Sequence, residues 1–452
     1  MKFWIDKAEI KENLKLAFPI VLTQVGNASM GLVDTLVVGK TNATELAAVA
    51  AGNSVFWTLV MISSGLLFGL DTLISQAFGR RDFKLGDRIL VQGLWISFFI
   101  SIIVMPIIYL LAHNYHLSGA KEDICKAMLP YVHAILPSFP LIIFFNTMQK
   151  YWQAQGVAKA FTVIIIISNI LNYIIDEALV LGHFGLPALG AEGVGYSTLA
   201  CRVFAMLCVT YISLRHWNKN TRSLPSWKIE SFWLKKLLRL GIPSAGQLSL
   251  EVFAFNFTTV LVASLGAQKM ATHHIILSLS SFTFMIPLGQ SVSTAVRVGY
   301  HIGRKEHELA EACGWFNIIA GSIFMLSSAA IFLIFPETLI SLFTNDSEVV
   351  TTAVSIIFLC ALFQFFDAIQ VVTGGALRGW GDTKSVFYSN FISHYTIGLP
   401  TGLTLCFYYD KGLWGLWAGL ALGLLFTSIF NILFWLRITR KYPLGRLTIE
   451  SY

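Results

Sequence analysis

Residues 89–112 read ILVQGLWISFFISIIVMPIIYLLA, 24 residues without one charged side chain. A helix needs roughly 20 apolar residues to cross about 30 Å of hydrocarbon. Eleven other stretches pass the same reading: 14–38, 46–78, 127–149, 160–182, 188–214, 238–263, 272–300, 310–334, 349–377, 384–408 and 412–436. Their connections are short, and none is long enough for a soluble domain. The alternating ten-residue segments of an outer-membrane barrel are absent. Of 452 residues, 55% are apolar and only 13% charged, with mean hydropathy +0.67. A soluble domain carries roughly a quarter charged residues. Length alone suggests two or three soluble domains, but a surface this poor in charge must meet lipid. The expected fold class is an all-α polytopic membrane protein with twelve transmembrane helices.

Charge sets the orientation. With the N-terminus inside, 25 of the 32 Lys and Arg residues fall on the cytoplasmic side. Five lie in outer loops, and Arg202 and Arg297 lie within spans. Positive charge collects on the cytoplasmic face, so both termini are expected inside a bacterial inner (plasma) membrane. The same asymmetry accounts for the formal charge of +7. Nucleic-acid binding is not expected, because no basic patch interleaved with aromatics occurs on a soluble face. The cysteines Cys125, Cys201, Cys208, Cys313, Cys360 and Cys406 stand singly and read as small buried hydrophobes. The start of the chain lacks a short apolar core with a small-residue cleavage site, so no cleaved signal is expected.

The chain repeats itself. Leu16-Ala17-Phe18-Pro19 matches Leu240-Gly241-Ile242-Pro243 at an offset of 224, and the same offset carries Gly65 onto Gly289. It also carries Gly79-Arg80-Arg81-Asp82 onto Gly303-Arg304-Lys305-Glu306. At 225, Gln153–Lys159 falls on Arg378–Lys384. An offset held this long is the mark of a duplication. The expected organisation is a six-helix lobe at 1–214, a cytoplasmic linker at 215–237, a second six-helix lobe at 238–436 and a cytoplasmic tail at 437–452. Six spans is an even number, so the repeat is parallel. Two pseudo-symmetric lobes around a central cleft, rocking to expose it to alternate sides, form an architecture for transport.

An ionisable group in mid-span is costly, so its presence asks for a function. Glu251 stands about thirteen residues past 238 among Leu250, Val252, Phe253 and Phe255, and Asp367 lies in the equally apolar run Phe363–Ile369. Carboxyls so placed suit groups that take and release a proton. Asp34 follows Pro19 by fifteen residues, and Pro19 removes a backbone hydrogen bond and gives that helix a place to bend. Asn172 and Asp176, four apart, share a helix face; they can share a proton or offer oxygens to a small hard cation. Glu177 points roughly 100° away, towards the interface. Asp71, Arg202 and Arg297 read as structural pairing or snorkelling, and His394 as a satisfied core hydrogen bond. His273-His274 has no further ligand pattern.

Other motifs fail. Gly39-Lys40-Thr41 resembles the tail of a phosphate loop, but Asp34 stands where its first glycine must be. Gly193-Val194-Gly195-Tyr196-Ser197 echoes a potassium filter in one copy, without a pore hairpin. His307-Glu308 lacks the second histidine of a zinc-protease helix. No nucleotide or enzymatic signature survives, and no cofactor is expected.

Several blocks together resemble signatures of the multidrug and toxic compound extrusion family, and its NorM-like branch most. They are Gly31–Thr35, Gln76–Gly79, Val296–Gly299, Phe366–Val372 with Gly375–Gly379, and Gly398–Gly402. The resemblance runs from about residue 14 to 436. It implies two six-helix lobes and export of organic cations, drugs or toxic compounds in exchange for a sodium ion or proton. It further implies that a seventh-span glutamate and a tenth-span aspartate, here Glu251 and Asp367, serve the coupling cation and hold it if it is sodium. A first-span aspartate with polar fifth-span residues, here Asp34, Asn172 and Asp176, serves alongside. The acids Asp34, Asp176, Glu251 and Asp367 are the expected counter-charges for the substrate. Two positions depart from the pattern: Asp176 stands where NorM-like chains often carry asparagine, and His394 replaces a residue usually aromatic. The reading is a monomeric antiporter in the lipid bilayer, not an enzyme. The rivals are a lipid-linked sugar flippase, which wants several basic residues in its cavity, a channel, and an intramembrane enzyme.

Overall fold

A computed structural model describes residues 6–119, 121–219, 226–344 and 346–441. Among the described residues there is no strand. The helices are α1 (Lys7–Val38), α2 (Ala43–Leu66), α3 (Phe68–Gly79), α4 (Phe83–His113), α5 (Glu122–Ile135), α6 (Ser138–Ala154), α7 (Lys159–Leu179) and α8 (Ala191–Lys219). There follow α9 (Ser231–Ala263), α10 (Ala267–Gly303), α11 (His307–Ile334), α12 (Pro336–Ser341), α13 (Ser347–Trp380), α14 (Thr383–Asn390), α15 (Leu399–Leu403) and α16 (Gly412–Lys441).

Among the described residues ten helical runs are long and apolar enough to cross a membrane, with α2 and α3 counted as one run, Ala43–Gly79. The pair α5 and α6, bent by 48° at Leu136 and Pro137, makes an eleventh. The remaining expected span, 384–408, is helical but irregular. There α14 and α15 alternate with π-helical turns at Phe391–Gly398 and Thr404–Tyr408. Pro400 in α15 has no N–H to return to the turn before it, and the helix widens on either side. Each of the twelve expected stretches thus holds a helical span.

The helix α7 shows why these segments suit lipid. Val163, Ile166, Ile167, Ile170, Tyr173 and Ile174 are exposed, while Ser168, Asn172 and Asp176, each four residues from the next, are buried. In water that pattern would be inverted. In hydrocarbon the apolar side needs no shelter, and the polar stripe turns inward to neighbouring helices.

By contact the chain divides into two compact units. One comprises Met1–Val21, Asp71–Arg81 and Arg239–Tyr452; the other comprises Leu22–Leu70 and Asp82–Leu238. The division cuts α1 two residues past Pro19 and cuts the α2–α3 run just past its break at Leu67.

Within the first unit, α3 meets α10 at two glycines. A Cβ on Gly79 would fall 2.1 Å from the Tyr300 carbonyl oxygen, and one on Gly303 would fall 2.2 Å from that of Gln76. Only glycine lets the backbones approach this closely. Thr72 Oγ1 donates to the Arg378 carbonyl at 2.6 Å and Gln76 Nε2 to that of Gly379 at 3.3 Å. The meeting maps onto itself at the offset of 224, and the backbone repeats it. Arg81 and Lys305 take φ of 60° and 63°, and Gly156 and Gly381 take 78° and 96°.

Within the second unit, the end of the expected linker lies along α4. Gln92 Nε2 donates to the Lys228 carbonyl at 3.0 Å, and its Oε1 accepts from Glu230 N at 2.9 Å. Trp95 Nε1 donates to the Trp227 carbonyl at 3.1 Å. Arg88 pairs with Glu230 and holds its carboxyl below the usual range. Residues 220–225 of the linker, 442–452 of the expected tail, and 1–5 lie outside the described residues.

Candidate ion and substrate sites

In the second unit, α1, α7 and α8 bring together Asp34, Asn172, Asp176, Ser197 and Thr198, all buried. Asn172 Nδ2 donates to Asp34 Oδ1 at 3.0 Å and to Ser197 Oγ at 3.2 Å; Ser197 Oγ donates back to the Asn172 carbonyl at 3.2 Å. The Asp176 carboxyl stands beside Asp34 and Ser197. Even so, both its oxygens, with Asn172 Oδ1 and Thr198 Oγ1, are buried without a formed hydrogen bond. Arg202, on α8, interacts electrostatically with Asp34. It does not snorkel, contrary to one of its expected roles. It is buried, Nη1 donates to Ser138 Oγ at 2.8 Å, and the guanidinium carbon sits 4.9 Å from the Phe56 ring centroid and 5.6 Å from that of Trp57.

In the first unit, Glu251 on α9 meets Asp367 on α13 through Gln370. The Gln370 amide donates to Asp367 Oδ1 at 3.1 Å and to Glu251 Oε1 at 3.3 Å, while its own Oε1 is buried and unpartnered. Asn431 Nδ2, on α16, donates to the Gln370 carbonyl at 3.1 Å, and Ser389 Oγ donates to Asn431 Oδ1 at 2.5 Å. Arg378 is buried, donates from Nη2 to Ser291 Oγ at 2.7 Å, and interacts electrostatically with both Asp71 and Glu251. Asp71 therefore has a cationic neighbour in Arg378.

The other residues singled out are engaged elsewhere. Glu177 pairs with Lys40 and with His183 Nδ1 at 3.2 Å. His273 Nε2 lies 3.0 Å from Thr259 Oγ1. His394 departs from expectation. It sits buried in the first π-helical turn, packed where a Cβ on Gly423 would fall 2.8 Å from Nδ1, and its Nε2 has no hydrogen-bond partner. Glu9, His301 and Cys313 offer ligand atoms within 4.8 Å of one another, yet N–H donors fill that space. Arg297 Nη2 and Asn13 Nδ2 (3.1 Å) converge on Glu9 Oε1, with His301 Nε2 at 3.0 Å and the Cys313 thiol at 3.4 Å. That is a nest for a carboxylate and not for a cation, and Arg297 has its structural partner there.

Sequence reasoning missed Gln370 and Ser197. Gln370 follows Asp367 by three residues, a spacing that puts both on one helix face. Ser197 lies in the Gly193–Ser197 run, whose sequence echoes only a potassium filter. Both acidic clusters offer oxygen donors only, a set suited to a proton or a small hard cation and not to a soft metal. A buried polar atom without a partner is costly, and the oxygens of Asp176, with Asn172 Oδ1 and Gln370 Oε1, are in that condition.

Long apolar helices with paired carboxyls set among them define a multi-pass membrane transporter. A family model described as MatE matches twice, over residues 19–176 and 243–404, with starts 224 residues apart. The multidrug resistance protein MdtK of Photorhabdus laumondii is 31% identical over 450 residues, spanning 96% of each chain. That of Yersinia pseudotuberculosis is 31% identical over 439 residues, spanning 94% of each. The crystal structure of the eukaryotic MATE transporter AtDTX14 superposes with a TM-score of 0.86 over 97% of this chain and 99% of that one, at 22% identity. A MATE structure in the bent conformation gives 0.87 over 96% and 97%, at 20% identity. The chain belongs to the multidrug and toxic compound extrusion family, whose members are transporters and not enzymes.

Proposed function

We propose that this chain is a cation-coupled antiporter that exports organic cations across a bacterial inner membrane by alternating access. A proton or sodium ion enters in exchange, and the chain works as a monomer with both termini cytoplasmic. The observation that carries the reading is the pair of acidic clusters, buried Asp34 with Asp176 and half-buried Glu251 with buried Asp367. A side-chain amide donates into each, and neither is closed by a lysine ion pair among the described residues. The MdtK relatives, named for multidrug resistance, support the substrate class.

In this reading the four acids do two jobs. Ionised, they provide the counter-charge that an organic cation needs in a low-dielectric site. Once a proton or sodium ion discharges them, the substrate loses that partner and leaves. Asn172 and Gln370 hold the carboxyls in place, and their free oxygens complete the oxygen set for a metal ion. One charge entering down about 150 mV supplies about 3.5 kcal/mol. That sustains a gradient of a few hundredfold for a neutral substrate. A monocation exchanged for one ion is electroneutral and is driven only by the ion's concentration gradient.

Proteoliposomes loaded with a cationic dye decide the matter. Export under a sodium gradient alone, or under a proton gradient alone, identifies the coupling ion. Dye movement unaffected by both gradients would refute antiport.

A further inference from the structure

Asp34 and Asp176 are not the only charges of the α1–α7–α8 site. Arg202 stands on α8 one turn beyond Thr198 and five residues beyond Ser197, both of which border the acids. Contacts independent of the acids fix it: Ser138 Oγ on α6 at 2.8 Å, and the faces of Phe56 and Trp57 on α2. It is buried, and its field reaches Asp34. A guanidinium keeps its charge at any pH a protein meets. The site therefore carries a permanent positive charge that neither coupling ion nor substrate supplies.

We propose that Arg202 sets the valence of this site, cancelling one of its two carboxylates so that it accepts a single positive charge and disfavours organic dications. Two carboxylates and one guanidinium leave a net charge of minus one. One proton, one sodium ion or one monocationic group balances it. A dication leaves an uncompensated positive charge in a dry site, where such charge is costly. The cation–π contacts serve the same end. They hold the guanidinium off the carboxyls, so that it sets the field without closing the site as a salt bridge. This inference rests on reading Asp34 and Asp176 as counter-charges for the substrate.

The test uses two dyes with one ring system, ethidium with one positive charge and propidium with two, titrated by fluorescence onto the purified full chain. Wild-type protein should bind ethidium at least about fivefold more tightly than propidium. In Arg202→Gln the propidium-to-ethidium affinity ratio should rise about tenfold, the order that one unit charge at about 10 Å gives at an effective dielectric near 20. Arg202→Lys keeps the charge and loses the stacking and the fork, so it should hold the ratio near wild type. An unchanged ratio in Arg202→Gln, or an equal rise in Arg202→Lys, would overturn the proposal and leave Arg202 a packing residue. Should Arg202→Gln not yield monodisperse protein, Arg202→Met replaces it. Propidium binding to wild type as tightly as ethidium also overturns the proposal. Asp34→Asn separates the two readings. If neither dye responds to it, the counter-charge reading itself fails; if both weaken while the ratio ignores Arg202→Gln, only the valence inference fails.

Discussion

Gly303→Ala tests the packing on which the first unit rests. The added methyl would lie 2.2 Å from the Gln76 carbonyl oxygen, where ordinary carbon–oxygen contact is more than an ångström longer. The obstacle is backbone on both sides, so α3 and α10 must separate. Separation strains the Thr72–Arg378 and Gln76–Gly379 hydrogen bonds, each worth about 1 kcal/mol. Overpacking adds about 1–3 kcal/mol, so the total is about 3–5 kcal/mol. Intrinsic-fluorescence melting of the detergent-solubilised protein should then show a fall of at least about 5 °C. Gly156→Ala is the contrast. Its backbone is left-handed, φ 78°, but nothing lies within 4 Å of its added Cβ, so only about 1 kcal/mol of backbone strain is expected. A Gly303→Ala protein that melts with the wild type, or at no lower a temperature than Gly156→Ala does, would refute the close approach.

Three further outcomes are expected. Glu251→Gln and Asp367→Asn should each abolish ion-driven dye export in proteoliposomes while the protein still elutes as a folded species; retained uphill export in both would remove these acids from the coupling. Asp34→Asn and Asp176→Asn should impair export, with the loss differing between substrates, and a full set of wild-type rates would remove the second cluster. In a cysteine-free background, a cysteine at Asn42 should react with an impermeant thiol reagent from outside and one at Lys228 only from inside; reversed labelling would overturn the orientation drawn from charge.

The span positions were legible because a bilayer imposes a length, and runs such as 89–112 can satisfy it in one way only. The duplication was legible for a similar reason. The turns at Arg81 and Lys305, and at Gly156 and Gly381, need the same unusual backbone, so their sequences stayed alike. The isolated acids also declared themselves, since a carboxylate among phenylalanines has no ordinary explanation. Their partners did not. Ser197 reaches Asn172 from the next helix, and Gln370 reaches Glu251 across more than a hundred residues, so no spacing in one helix announces either contact. In the sequence Arg202 reads as a structural or snorkelling residue, because hydropathy gives depth but not direction. Its burial against Phe56 and Trp57 is set by which side of α8 faces α2. The same limit applies to His394, whose unpartnered Nε2 follows from a π-helical turn that hydropathy does not register.

The account turns on substrate and coupling ion meeting the same negative charge, so that each favours a different state of the protein. Equilibrium binding of ethidium to the purified protein, measured at rising sodium and separately at falling pH, tests this directly. Affinity should weaken with at least one of the two ions, and the effect should shrink in the Glu251→Gln/Asp367→Asn double variant. Ethidium binding indifferent to both sodium and protons would contradict it.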